Sequence, residues 1–330
     1  MQIAMAGHVV LSAQNSGIST ANTTAIGATI PGAAIEALSE NFVLALDRFD
    51  TVNIHGGIYE PDDEAGVRRV TGELSAAAHP ETMGFLIAGA LQRSSTTSLT
   101  STFFRSTFTT PTSDHHADAA VQPYTAEVFR PNTGAGTTAF RYTGMCLNTL
   151  GISFAPNQDV RMAAAFIGYN VDTITKTTPT FSNSPTTAYN FVTSSIEIAG
   201  AADATVEALN INIDNQLESV VTLNSTDKVS KIVRRGPQMV NVTGTMQFAD
   251  FTNYNKFVNQ TEFQLKATVS KASSHQMVID LPRCVFTGHP QVMQGRERIL
   301  VNFEAKARYH TGSATAININ FTSVRSFYTN

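Results

Sequence analysis

Residues 239–248 read Met-Val-Asn-Val-Thr-Gly-Thr-Met-Gln-Phe, and their apolar side chains alternate with polar ones. A period of two is typical of a half-buried β-strand. Residues 67–76 read Val-Arg-Arg-Val-Thr-Gly-Glu-Leu-Ser-Ala and carry the same Val-Thr-Gly triplet in another alternating stretch. We therefore predict two strands of one type, one in each half of the chain.

A helix is predicted directly after each of these strands. Pro80 suits the first helical position, and apolar residues between Met83 and Leu91 follow at three- and four-residue spacing. This pattern predicts an amphipathic helix of three turns whose apolar stripe covers one sheet. In the second half, Asp250 is a good N-cap for a short helix with aromatic and apolar residues of 251–258 on one face.

The halves also agree in the strands beyond the helix. In each half, a strand that carries a cysteine, Cys146 or Cys284, leads to a final strand ending in an aromatic residue. The interval from Gly72 to Cys146 exceeds that from Gly244 to Cys284 by 34 residues, about the length of one Ser/Thr-rich segment. We predict a mainly β fold built by internal duplication, with two β-sandwich or open-barrel domains that each carry a short flanking α-helix. The two cysteines are expected at corresponding positions.

Changes in composition suggest the domain limits. Residues 1–40 are small and polar, and we expect an extended N-terminal arm that is not part of a core. Residues 41–171 are predicted to form the first β domain, with a Ser/Thr-rich insertion at 93–121 that is a long loop or a projecting hairpin. A linker at 172–187 then leads to a second β domain at 188–330.

Composition excludes several classes of protein. The chain is 42% apolar and 15% charged, which excludes disorder as its main state. The formal net charge is −4 and no run of Lys or Arg exceeds two residues, so tight nucleic-acid binding through a basic face is not expected. The first twenty residues lack Lys and Arg, and no apolar run could span a bilayer, so we expect no contact with a membrane.

No motif nominates catalytic, cofactor-binding or metal-binding residues. The densest set of potential metal ligands lies in one predicted loop and consists of Asp114, His115, His116 and Asp118. Adjacent His residues on a loop rarely face one ion, so we interpret this set as solvated. The glycine-rich segment 134–139 lies between two predicted strands and lacks the helix N-terminus that binds pyrophosphate, which favours a hairpin turn. We expect a protein that is not an enzyme and needs no cofactor.

Two arginine pairs occur at matching places in the halves. Arg68 and Arg69 precede the first Val-Thr-Gly strand, and Arg234 and Arg235 lie in the loop before the second. Each pair is interpreted as part of a solvated turn, with a salt bridge between domains or between subunits as the alternative.

The order of motifs in the second half resembles a known family. It runs from Ile213-Asp-Asn-Gln-Leu-Glu218 through Val242-Thr-Gly to the aromatic-rich helix at 251–258, and the Val70-Thr-Gly region repeats part of it. This order of motifs resembles that of the tail tube, or major tail, proteins of long-tailed, non-contractile bacteriophages. The resemblance covers about residues 40–310, and the N-terminal arm and the 93–121 insertion lie outside the part that matches.

The resemblance implies a self-assembling ring protein whose rings stack into the tail tube through which DNA is ejected. It implies two tube-like β domains, a place in the virion tail, and assembly in the cytoplasm of the bacterial host. The implied partners are further copies of the chain, the tape measure, terminator and distal tail proteins, and double-stranded DNA that passes through the lumen without specific binding.

The residues expected to take part in assembly come from the insertion and from the second arginine pair: Phe103, Phe104, Phe108, Arg234 and Arg235. We also expect residues 1–40 and 93–121 to become ordered mainly against neighbouring subunits. Because the tube domain is predicted twice per chain, three copies of this chain could build a ring that would need six copies of a chain with one domain. The contact between the halves would then resemble the contact between chains.

The sequence leaves two alternatives open. Another tail component with the same fold, such as a terminator or a ring near the hub, would share these motifs. A carbohydrate-binding or depolymerising tail protein would instead show aromatic platforms or paired carboxylates, and the absence of Trp weighs against it.

Overall fold

A computed structural model of the chain describes residues 7–14, 32–49, 64–100, 102–111, 123–131, 136–179, 181, 187–223, 227–271, 275–290 and 298–324. The strands and the helix of the first half are β1 His8–Ala13, β2 Gly32–Ile35, β3 Ala37–Glu40, β4 Val43–Phe49, β5 Glu64–Ala77, α1 Met83–Ala90, β6 Gln92–Ser98, β7 Phe104–Thr109, β8 Tyr124–Phe129, β9 Thr138–Phe154, β10 Arg161–Gly168 and β11 Asn170–Thr175. The prediction of a mainly β fold is confirmed.

The second half opens with a single 3-10 turn at Phe191–Thr193. Its other elements are β12 Ser194–Ile198, β13 Ala201–Ala202, β14 Val206–Asp214, β15 Leu217–Val220, β16 Lys231–Arg234, β17 Met239–Gln247, α2 Thr252–Val258, β18 Phe263–Lys271, β19 His275–Gly288, β20 Leu300–Ala307 and β21 Asn318–Ser323.

The two halves have the same strand topology. In the first half the hydrogen-bonded order is β1-β8-β9-β10-β5-β4, and in the second it is β12-β18-β19-β20-β17-β14, antiparallel throughout. The peripheral strands match as well. Strand β2 pairs with β1 as β13 pairs with β12, and β11 pairs with β9 as β21 pairs with β19. This agreement supports the predicted duplication.

The Val-Thr-Gly triplets occupy equivalent places in the two sheets. Gly72 lies opposite Phe166, and Gly244 lies opposite Phe303. A side chain at either glycine would collide with an aromatic ring, that of Phe42 in the first half and that of Phe303 in the second. The absence of a Cβ therefore lets a ring cover the sheet at both positions.

The halves are joined into one sheet by β14, which pairs with β17 of its own half and with β9 of the other. Within this large sheet, eight strands follow one another in the order β4-β5-β10-β9-β14-β17-β20-β19, with four strands from each half, and the sheet continues from β19 to β18 and β21. One hydrophobic core runs through both halves and includes α1.

The cysteines do not occupy equivalent positions, which corrects the sequence-based prediction. Cys146 on β9 lies opposite Ile167, which in turn lies opposite Thr71. Cys284 on β19 lies opposite Ala307, which lies opposite Val240. When the two Val-Thr-Gly triplets are aligned, Cys284 therefore lies at a different position along its strand from Cys146.

The predicted N-terminal arm is wrong for His8–Ala13. These residues form β1, which lies between β2 and β8 with five of its six residues buried. A strand buried on both faces has no alternating pattern, so its short apolar run did not identify it as part of a core. The linker predicted at 172–187 is also wrong at its start, where β11 pairs with β9.

The Ser/Thr-rich insertion forms a hairpin inside the sheet. Strands β6 and β7 pair with each other, and β7 also pairs with β21 of the second half. This part of the insertion is therefore ordered by its own chain, and the expected dependence on neighbouring subunits is wrong here. Residues 112–121 lie outside the described residues, as do Asp114, His115, His116 and Asp118.

Candidate assembly interface

The contact between the two halves is an antiparallel strand pair. Its register runs from Leu209 opposite Phe154 to Asp214 opposite Thr149. The alternate residues Leu209, Ile211 and Ile213 of β14 are buried. Burial of three aliphatic side chains at this junction stabilises the arrangement by several kcal/mol, at roughly 1.5–3 kcal/mol for each.

The junction also binds the C-terminal end of helix α1. Asn215, which follows β14 and is fully buried, donates through Nδ2 to the carbonyl oxygens of Ala90 at 3.2 Å and Leu147 at 3.0 Å. Gln238 donates to the same Ala90 oxygen at 3.2 Å and to Asn215 Oδ1 at 2.7 Å. Carbonyls at a helix C-terminus lack partners within the helix, and here the second half supplies them.

The other end of α1 is held by a buried side-chain pair. Glu81, two residues before the helix, lies 2.9 Å from Nε2 of His275 at the start of β19, and both side chains are buried. Helix α1 is thus bound at both ends by the second half of its own chain.

A second, smaller cluster extends the junction. The hairpin of β15 and β16 contributes Leu217 and Ile232 to a cluster that also contains Cys146 of the first half. Burial raises the pKa of the Cys146 thiol to about 12, and burial first and the carboxylate of Asp280 second raise that of Cys284 to about 12. Both thiols are therefore protonated at neutral pH and serve as packing residues.

For one arginine of the first pair, the alternative interpretation, a salt bridge between the two halves, applies. Arg68 Nε lies 2.6 Å from a carboxylate oxygen of Asp227 across the junction, with both side chains nearly half exposed. Arg69 pairs with Asp47 at 2.9 Å within the first half. Exposed pairs of this kind stabilise a protein by about 0–1 kcal/mol, so they contribute less than the buried contacts.

The residues predicted to take part in assembly lie in different environments. Phe108 is fully buried in the core, which corrects its selection as an assembly residue, while Phe103 and Phe104 are half-buried. Arg234 is half-buried at the end of β16, and Arg235 is exposed. The backbone N–H of Arg235 donates to the carbonyl oxygen of Gln216 at 2.8 Å, close to the end of β14. The part of both arginines in assembly stays a prediction.

Sequence reasoning missed two apolar surfaces on the described residues. The first is the outer side of β4, where Val43, Leu46 and Phe49 are 43%, 51% and 60% exposed. The second is helix α2, where Phe251 and Val258 are 59% and 56% exposed. The sequence did contain a signal for the first surface. Phe42-Val-Leu-Ala-Leu-Asp47 resembles Leu209-Asn-Ile-Asn-Ile-Asp214, but β4 has apolar residues at the two positions where β14 has asparagines.

Several further cations on the described residues are paired with carboxylates. These pairs are Arg130–Glu40, Arg141–Asp172, Lys266–Glu197, Arg283–Glu262 and Arg298–Glu207. No group of three potential metal ligands occurs among the described residues. Within the same ranges, neither helix is long and apolar enough to cross a bilayer.

Comparison with known proteins gives one match. A family model described as phage tail tube protein matches residues 52–307, more than three quarters of the chain. A search of curated proteins finds no match. The matched region contains β5 to β20 and therefore most of both repeats.

Proposed function

Since the chain belongs to the phage tail tube protein family, we propose that it assembles into stacked rings that form the tail tube of a long-tailed, non-contractile phage. In this proposal the tube is the conduit through which double-stranded DNA leaves. The protein is a structural subunit that works in the virion tail after assembly in the host cytoplasm. Its partners are further copies of itself and the tape measure, terminator and distal tail proteins.

The observation that carries this proposal is the run of eight strands from β4 to β19, which begins at an open edge of the sheet. Strand β4 at one end pairs only with β5 among the described strands, and it contains neither Lys nor Pro. An open edge of this kind attracts other strands unless it is guarded, and closing a sheet into a barrel removes the edge. A ring closed by further copies would use the edge in this way.

The charge distribution supports passage of DNA without tight binding. The net charge is −4, and many described arginines are already paired with carboxylates. Each phosphate neutralised by a free cation would add affinity through counterion release. We expect negligible binding of duplex DNA at physiological salt in an anisotropy assay. Micromolar or tighter binding with a steep salt dependence would contradict the conduit role.

Negative-stain electron microscopy of the purified protein tests the proposal directly. Long hollow tubes are the expected result. Single closed rings that never stack would favour the second candidate, a terminator or a ring near the hub. A protein that stays monomeric at every concentration would overturn both.

A further inference from the structure

A cleft of about 240 Å³ lies beside helix α2 in the second half of the chain. Its walls come from α2, from the end of β17 and from the turn between β13 and β14, and His289 also lines it. Among the described residues, the first half contributes nothing to these walls. We call this space the α2 cleft, and it lies outside the β9–β14 junction.

His289 is the residue of the α2 cleft that packing does not explain. It is only 5% exposed, and within the described part of the chain neither of its ring nitrogens has a hydrogen-bond partner. The rings of Phe257 and Phe286 lie against it, with centroids 6.5 and 5.6 Å away. A neutral imidazole has one donor and one acceptor, and leaving both unsatisfied in a buried place lowers stability.

The first half shows that this position does not require a polar residue. The strand registers equate His289 with Leu147, which is fully buried. A leucine fills the position without an unsatisfied polar atom, so the imidazole makes the second half less stable than an apolar side chain would. A polar residue that lowers stability and lines a cleft is typical of a binding site.

Lys256 and Asp203 add unused hydrogen-bonding capacity to the α2 cleft. The Nζ atom of Lys256 donates to Oδ1 of Asn253 at 3.0 Å, which uses one of its three hydrogens. Oδ1 of Asp203 accepts from the N–H and the hydroxyl of Thr205, whereas its Oδ2 accepts only a long bond, 3.4 Å, from Asn253 within the described residues. Donors at Lys256 and His289 and acceptors at Asp203 and His289 therefore remain for a ligand.

The charges of the α2 cleft favour an uncharged ligand. Lys256 and Asp203 offset each other, and Asp250 adds a second carboxylate. An anion would meet two carboxylates, and a cation would meet the ammonium group of Lys256. A primary carboxamide carries no charge, and it offers an acceptor oxygen and two N–H donors in one small group.

The rest of the cleft is apolar. Ile198, Met246 and Phe248 line it, and the first two are buried. Apolar walls around a few polar groups suit a ligand with a short hydrocarbon stem behind its polar end.

We propose that the α2 cleft binds a primary carboxamide, the group at the end of Asn and Gln side chains. The carboxamide oxygen accepts from Lys256, and its NH₂ group donates to Asp203 and to the unprotonated ring nitrogen of His289. Burial lowers the pKa of His289, which keeps this nitrogen unprotonated at neutral pH. The carboxamide belongs either to a side chain of a partner protein or to a free amide. This inference goes beyond the proposed tube and does not depend on it.

Three probes of similar size test the choice of an uncharged ligand: propionamide, propionate and propylammonium. The ¹³C-labelled methyl group of Met246 reports binding by NMR in the unassembled chain, because it lines the cleft. Propionamide should shift this resonance in a saturable way. Both ions should bind at least about ten-fold more weakly, since each meets an unmatched charge.

Two variants test the residues. His289→Leu copies the residue of the first half and should raise the dissociation constant of propionamide by about three- to ten-fold through the loss of neutral hydrogen bonds. Lys256→Leu should raise it by about ten-fold or more, because a charged donor is lost. Lys256 lies on the half-buried side of α2 and outside the core, so this variant tests the contact even if His289→Leu fails to fold. Lys306→Leu, at an exposed lysine of β20, is the matched control and should bind like the wild type.

A blocked amino acid separates the two sources of the carboxamide. Glutamine with an N-acetyl and an N-methylamide end has one primary carboxamide, and methionine blocked in the same way has none. Tighter binding of blocked glutamine than of propionamide, with no binding of blocked methionine, would assign the cleft to a side chain of a partner protein. Equal or weaker binding of blocked glutamine would assign it to a free amide, and both results support the carboxamide site.

Three results would overturn the inference. They are the absence of a saturable shift with propionamide and blocked glutamine, equal binding of propionamide and either ion, and unchanged binding in the folded variants. None of them bears on the proposed function, because the formation of tubes is observed separately by electron microscopy.

Discussion

The helices α1 and α2 hold the same place in two copies of one topology, yet every residue of α1 is buried and none of α2 is. The difference comes from the part of the chain that lies over each helix. Helix α1 reads Met-Gly-Phe-Leu-Ile-Ala-Gly-Ala and is covered by its own chain from the moment of folding. Helix α2 reads Thr-Asn-Tyr-Asn-Lys-Phe-Val and faces solvent in the single chain. A covered helix can be wholly apolar, whereas an exposed one has to keep polar residues for solubility.

The largest effect is expected from removing an aromatic ring from the two helix regions in turn. Phe85→Ala in α1 should lower the free energy of unfolding by about 3–5 kcal/mol, because the ring is fully buried. Phe251→Ala beside α2 should cost about 1 kcal/mol or less in the unassembled chain, since that ring is mostly exposed and packs edge-on against Phe248. Urea denaturation of the unassembled chain measures both losses. Equal losses would show that the two helices are covered alike.

The next effect concerns the polar contact that binds α1 to the second half. Asn215→Ala should lower the free energy of unfolding by about 1–3 kcal/mol, because it removes donors from two buried carbonyls. Asn212→Ala on the same strand is the control and should change stability by about 0.5 kcal/mol or less, since its side chain is only half-buried. If both variants behaved alike, the helix end would not depend on Asn215.

The glycines of the two Val-Thr-Gly triplets sharpen the comparison further. Gly72→Ala and Gly244→Ala should each cost about 1–3 kcal/mol, because the added methyl group meets a packed aromatic ring and, at Gly244, also the carbonyl oxygen of Ala208 at 2.6 Å. Gly151→Ala on β9 should be nearly neutral, since its nearest neighbour would be 3.8 Å away. Thermal unfolding of the three variants checks the order. A neutral change at only one triplet would show that the halves pack differently there.

The smallest effect is a pH dependence confined to the second half. His289 follows Gly288, and the strand register places it where the first half has Leu147. Burial among Tyr254, Phe257 and other rings lowers the pKa of His289 below its ordinary value. The unfolded chain then binds more protons near pH 6, so stability is fully present above about pH 6.5 and falls as the pH drops below it.

His289→Leu should remove this part of the acid sensitivity. Melting temperatures of the variant and the wild type between about pH 5 and pH 8 provide the measurement, with His310→Leu as a control at a surface turn. An unchanged pH profile in His289→Leu would assign the sensitivity to other groups.

Much of the fold could be predicted from local patterns. The alternation around Gly72 and Gly244 located β5 and β17, and the residues after them located both helices. The prediction that α1 is amphipathic was wrong, because apolar spacing does not reveal whether the small residues between, such as Gly84 and Gly89, are also covered. That information depends on the partner surface, which comes from residues far away in the chain.

The interface was less accessible to sequence reasoning for the same reason. Asn215 carries no motif of its own, and its importance comes from contacts with Ala90 and Leu147 that are distant in sequence. The equivalence of β4 with β14 depends on strand registers, which a search for identical residues does not recover. Phe103, Phe104 and Phe108 were chosen for their composition alone, and Phe108 belongs to the core.

The β9–β14 pair has a kinetic consequence for a ring built from three copies. Its two strands belong to one chain and are joined by the residues between Phe154 and Val206, so their effective concentration is fixed and independent of dilution. Half of the junctions around the lumen then form without any encounter between molecules. Only the other half require diffusion, so a ring of three such chains needs fewer encounters between molecules than a ring of six separate domains would.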